Sequence, residues 1–141
     1  MEPVSLAASV IAVAELAAKT CSAVLELRAL CKSIPGRLHA VNNEVADLQL
    51  VLAQVAMLLE KRATLPDPKS SAITLLLDQA KNKLEDFDAV VGRLFAASAK
   101  SRMPLVAASI WNKEQGRLQA LQDGIKNIKA SLNILLATSN S

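Results

Sequence analysis

Histidine and cysteine have the widest chemical reach of any residues in this sequence, and they are scarce: one histidine, His39, and two cysteines, Cys21 and Cys31. Imidazole catalysis needs a partner that sets the tautomer or takes the proton, and zinc takes about four N or S ligands. His39 stands in the first turn of a predicted helix, just after Pro35-Gly36, and reads as a surface residue. Cys21 and Cys31 are ten apart. On one helix that puts their Cα atoms about 15 Å apart, beyond the roughly 7 Å limit for a disulfide. They read as small core residues in a reducing, intracellular compartment. Glu85, Asp86 and Asp88 offer carboxylates for a cation, but the solvated face of a helix explains them better. Gly36, Gly92, Gly116 and Gly124 are scattered singly, so no phosphate-cradling loop forms. The expectation is a protein that is not an enzyme and carries no cofactor or metal.

The elements around these residues are helical. The chain has 141 residues, enough for one domain, and 52% are hydrophobic while only 2% are aromatic. An Ala-, Leu- and Val-rich core of this kind suits close helix packing, and four glycines with five prolines are too few for an all-β domain. Helix 2, about 36–62, carries a heptad seam of Leu38, Val41, Val45, Leu48, Leu52, Val55 and Leu59. Helix 3, about 71–97, repeats it with Ile73, Leu77, Ala80, Leu84, Phe87, Val91 and Leu94. Helix 4, about 113–137, does so with Leu118, Leu121, Ile125, Ile128, Leu132 and Leu135. The two prolines of residues 64–71 mark a loop, with Ser70 or Ser71 as the next cap, and a short extra helix or turn is expected over 105–111. With helix 1 at about 4–32, the fold class is all-α: a single-domain, up-down-up-down four-helix bundle over residues 1–141.

Helix 1 is unlike the others. Residues 4–18 are apolar on nearly every side, with Glu15 the one charge. That stretch is roughly 22 Å long as a helix, short of the roughly 30 Å hydrocarbon core. Glu2 stands where a signal peptide has basic residues. Its later part is amphipathic, with Val24, Leu27 and Cys31 on one face. Charge is also uneven. Residues 1–92 carry 9 Lys/Arg against 11 Asp/Glu, and residues 93–141 carry 7 against 2. A basic final third attracts anionic lipid or an acidic protein surface. Nucleic acid is not expected, because stacking aromatics are nearly absent.

The opening Met1-Glu2-Pro3-Val4-Ser5-Leu6-Ala7-Ala8-Ser9 resembles the start of the fungal N-terminal domain of STAND (NLR-like) proteins, with Glu2 where Asp is commoner. A Trp after a basic loop (Lys100, Arg102, Trp111) and a last helix ending in Leu135-Leu136 look similar too. The resemblance implies a HeLo-like helical bundle that serves as the effector of an immune or incompatibility receptor. It would induce regulated cell death by forming homo-oligomers and moving from the cytoplasm to the plasma membrane. On that reading Val4, Leu6, Val10, Ile11, Val13 and Leu16 insert into lipid. Ser5, Ser9 and Glu15 line a pore, and Lys100, Arg102, Lys113 and Arg117 meet anionic headgroups. The alternative is a soluble adaptor that binds like helical domains and never touches lipid. Neither reading calls for a small-molecule substrate.

Overall fold

A computed structural model describes residues 3–30, 36–61, 67–100 and 104–139, with side chains for 6–29, 36–61, 71–97 and 112–138. Those residues form α1 (Pro3–Leu30), α2 (Gly36–Lys61), α3 (Asp67–Lys100) and α4 (Pro104–Ser139), with no strand among them. The fold is an all-α four-helix bundle. Cys31 and Arg102 lie outside the described residues, as do the side chains of Val4, Ser5, Lys100 and Trp111.

Two helices begin earlier than the sequence suggests, for one reason. Asp67 and Pro68 open α3, so Ser70 and Ser71 stand inside the helix and not at its cap. Pro104 opens α4, which runs unbroken through 105–111 and absorbs the separate short helix or turn expected there. Proline breaks a helix from within, but in the first turn its missing N–H costs nothing and its fixed φ already suits the helix. No glycine or proline follows Pro104 until Gly116, so nothing stops the helix once it has started.

Burial follows the 3.5-residue period. Leu38, Val41, Val45, Leu48, Leu52, Val55 and Leu59 of α2 are buried, as are Ile73, Leu77, Ala80, Leu84, Phe87, Val91 and Leu94 of α3. In α4 Leu118, Leu121, Ile125, Ile128 and Leu132 are buried, but Leu136 takes the last core place and Leu135 is only partly buried beside it. A helix turns once in about 3.6 residues, so a strict 3.5 repeat drifts, and a final step of four restores the core face.

Contacts between helices set the order round the bundle as α1, α2, α4, α3, with α2 and α3 on one diagonal and α1 and α4 on the other. Side-chain pairs give the directions. Arg37 meets Gln119 and Gln122 while Lys129 meets Glu44 and Asp47, so α2 and α4 run parallel. Arg93 meets Glu114, and a Cβ on Gly124 would fall 2.8 Å from the Lys83 stem, so α3 and α4 run antiparallel. Only five residues separate α1 from α2, and the two pack against each other, so they are antiparallel as well. Successive helices therefore alternate up and down, while parallel helices sit side by side.

Leu52 is fully buried at the centre of the α2 seam. Leu52→Ala should cost about 2–5 kcal/mol in a denaturant titration. A loss below about 1 kcal/mol would contradict its central place in the core.

Candidate functional site

α1 has a seam of its own: Leu6, Val10, Val13, Ala17, Thr20, Val24 and Leu27 are buried at spacings of four and three. Thr20 is the one polar member, and its hydroxyl donates to the Leu16 carbonyl at 2.9 Å, so no buried donor is left unpaired there. Uniform apolarity hides this seam in the sequence, since alanine and valine stand on every side. The signal that would have found it is the heptad spacing through Ala17 and Thr20.

The remainder of α1 looks outward. Ser9, Ile11 and Glu15 are exposed, and Leu16 is half-buried against the core. The insertion candidates thus divide: Leu6, Val10 and Val13 hold the bundle together, while Ile11 faces solvent. Leu6–Ala29, 24 residues with a mean hydropathy of 1.6, is long and apolar enough to cross a membrane, and only 28% of that window is buried. Such a helix is about 36 Å long. Residues 4–18 alone are too short to span, but α1 continues through Lys19 into a second apolar stretch, Ala23–Leu25.

Beside this face, α1 and α2 enclose an open, largely apolar groove of about 290 Å³, with Ile11, Ala14, Ala18, Ala53 and Met57 in its walls and Glu15 and Glu60 at its rim. A second, polar recess of about 370 Å³ lies between the start of α2 and α4. There Arg37 Nη1 donates to Gln119 Oε1 and, at 3.3 Å, to Gln122 Oε1, while Gln119 Nε2 donates to Asp123 Oδ1 at 3.1 Å.

The basic residues gather at one end. Arg37 is level with Gln119, so α3 and α4 run on for three to four turns past the start of α2, roughly 20 Å. Lys113 and Arg117 stand exposed on these projecting turns. Arg93 Nε pairs with Glu114 Oε1 at 2.8 Å there, and this bond raises the Arg93 pKa. The first turns of α1 lie at the other end of the bundle. The two sets of predicted contact residues are therefore separated by most of its length.

Lys129 holds α4 to α2. Its Nζ lies 2.8 Å from Glu44 Oε2 and 3.3 Å from Asp47 Oδ2. The bond to Glu44 raises its pKa, partial burial opposes that rise, and Asp47 adds to it. Burial raises the pKa of the half-buried Cys21 thiol. Glu85 pairs loosely with Lys81 at 3.9 Å on the exposed face of α3. No three His, Cys, Asp or Glu side chains converge as metal ligands among the described residues.

With this geometry in place, comparison with protein families gives one match. The profile described as "Pigment biosynthesis cluster protein PigL N-terminal" aligns with residues 1–140. The chain belongs to the PigL N-terminal family. This is a pigment-cluster N-terminal domain of the HeLo-like group of fungal N-terminal helical domains. The PigL N-terminal match takes in all four helices, the α1 seam and the basic hairpin. No curated protein and no solved structure matches the chain.

The Lys129 pairing predicts an alkaline limit. A lysine whose folded pKa is raised stabilises fully below its unfolded value, and that stability is lost as pH rises through the folded value. The ordinary value is 10.5, so the loss should begin near there. Denaturant melts at pH 9 to 12 should show a smaller alkaline loss for Lys129→Met than for the native sequence, and equal slopes would contradict the pairing.

Proposed function

We propose that the domain is the N-terminal effector of a fungal NLR-like receptor, inducing regulated cell death by self-association and by targeting membranes through α1. It acts without catalysis and without a cofactor. The observation that carries this reading is α1 itself: Leu6–Ala29 is long and apolar enough to span a bilayer, and it turns Ile11 and Leu25 to solvent. A core helix needs one apolar stripe, and α1 is apolar well beyond that stripe.

The charges fit a sequence of events. The projecting hairpin, with Lys113 and Arg117 exposed, meets anionic headgroups first, each nearby basic residue contributing about 1 kcal/mol. α1 joins α2 at the same end of the bundle, so a released α1 pivots there and brings its far turns down to the lipid. Ser9 and Glu15 lie on the exposed face of α1, and several inserted copies would turn them toward water. Localisation follows: cytoplasmic at rest, plasma membrane on activation.

A soluble adaptor is the second reading. The groove between α1 and α2 favours it, since an apolar cleft with an acidic rim suits another helix as well as it suits lipid.

Dye leakage from vesicles separates the two. The domain should release dye from vesicles with anionic lipid and far less from neutral ones. Charge reversal at Lys113 and Arg117 should weaken binding to anionic vesicles about fivefold per residue. Ala8→Asp with Ala12→Asp, both on exposed positions, should stop leakage while circular dichroism stays helical. An Asp costs up to about 2.5–3.5 kcal/mol to insert at the middle of a spanning helix and less toward its ends. A folded variant that leaks as before would contradict the role given to α1.

A further inference from the structure

Between α1 and the second half of α2 the surface is hollow. The groove there holds about 290 Å³ and is lined by Ala14 and Ala18 from one helix and Ala53 and Ala56 from the other, with Leu52 of the core among them. Ile11 and Met57 complete the apolar lining and are 41% and 55% exposed. Pockets for drug-sized ligands run from about 300 to 1,000 Å³ and enclose what they bind, so an open groove of this size suits side chains from one face of a helix better. Alanine on both sides lets such a helix come close, since the distance between packed helices depends on the side chains at the contact.

Apolar lining alone would suit lipid as well as a helix. The charges decide between them. The lining holds two carboxylates, Glu15 from α1 and Glu60 from α2, and no lysine or arginine. Both are exposed, and neither belongs to the ion pairs among the described residues, which join Lys81 to Glu85, Arg93 to Glu114 and Lys129 to Glu44 and Asp47. The chain as a whole carries +3, so the groove is opposite in sign to the molecule around it. Anionic headgroups would meet like charge there. A second copy laid groove to groove would bring four carboxylates together, and like charges set against each other suppress a wrong partner.

We propose that the groove receives an amphipathic helix of a partner protein, whose narrow stripe of alanine and leucine enters between Ile11 and Met57 while lysine or arginine on its two flanks meets Glu15 and Glu60. Helix-in-groove recognition of this kind uses anchors at i, i+3, i+4 and i+7 along one face. α1 must be in its resting place, because it supplies one wall of the groove. A helix that binds only the closed bundle therefore holds α1 against α2. The inference gives the adaptor reading a partner chemistry, and its test reads peptide binding and not leakage, so either can fail without the other.

Fluorescence anisotropy with two labelled helical peptides of about three heptads tests it. One carries alanine and leucine on a single stripe with lysine at the flanking positions. The other keeps the stripe and replaces each flanking lysine with glutamate. The lysine peptide should bind the domain about tenfold more tightly, although general attraction to a +3 chain would favour the glutamate peptide. Glu15→Gln with Glu60→Gln should weaken the lysine peptide about fivefold, as two exposed ion pairs would. Ala53→Lys, at an exposed site in the lining, should weaken it about tenfold or more by setting a like charge in the groove. Leu75→Lys on α3 should bind as native, and circular dichroism should be unchanged throughout. The paired glutamine exchange decides the matter even if Ala53→Lys fails to fold. No binding of the lysine peptide into the hundreds of micromolar would overturn the inference, as would equal binding of the two peptides. So would peptide binding indifferent to both groove variants. Self-association or vesicle binding lost in Ala53→Lys, with peptide binding intact, would give the groove to a second copy or to lipid instead.

Discussion

The bundle depends on packed apolar stripes, and the stripe of α1 is built from the smallest side chains. All four helices are joined by stripes of apolar side chains at a 3.5-residue period, but the stripes are unequal. α2 contributes Leu38, Leu48, Leu52 and Leu59, and α3 contributes Leu77, Leu84, Phe87 and Leu94. α1 has leucine only at the ends of its stripe, Leu6 and Leu27, with Ala17 and Thr20 at its centre. Fully burying a leucine or valine stabilises by about 1.5–3 kcal/mol, and an alanine gives much less. The most apolar helix therefore fills its part of the core with the least bulky side chains.

α1 touches α2 and α3 and faces α4 only across the diagonal. The ion pairs and amide bonds that pin the other helices, Lys129 to Glu44 and Asp47, Arg37 to Gln119, Arg93 to Glu114, all involve α4. Apolar packing joins the described seam of α1 to the core. The apolar surplus it turns outward can serve a lipid core or a docked partner helix, and each contact draws on the same small set of residues between Ala8 and Leu25.

The seams of α2, α3 and α4 were legible because polar residues frame them. Lys81, Glu85 and Asp86 leave no doubt which side of α3 is dry. In α1 that contrast is missing, so its buried stripe dissolves into a run of alanine and valine. The helix starts were misread through proline. The prolines of residues 64–71 signal a loop in the sequence, yet Pro68, like Pro3 and Pro104, stands in the first turn of a helix. Leu135 gave its place to Leu136 through the drift between 3.5 and 3.6 residues per turn. Order round the bundle was not legible at all, since short connections allow α2 and α3 to be neighbours or diagonal partners. The ion pairs that decide it join residues about eighty apart.

Amide hydrogen exchange tests the central claim most directly, because it reads the stability of each helix separately. Dilute, monomeric domain should show amides of α1 between Leu6 and Ala29 exchanging through openings well below the global unfolding energy, while the seams of α2, α3 and α4 open only with the whole bundle. Anionic vesicles should change the α1 pattern and leave the other helices as they were. Protection of α1 equal to that of α2 to α4, with and without vesicles, would contradict the account: α1 would then be an ordinary core helix.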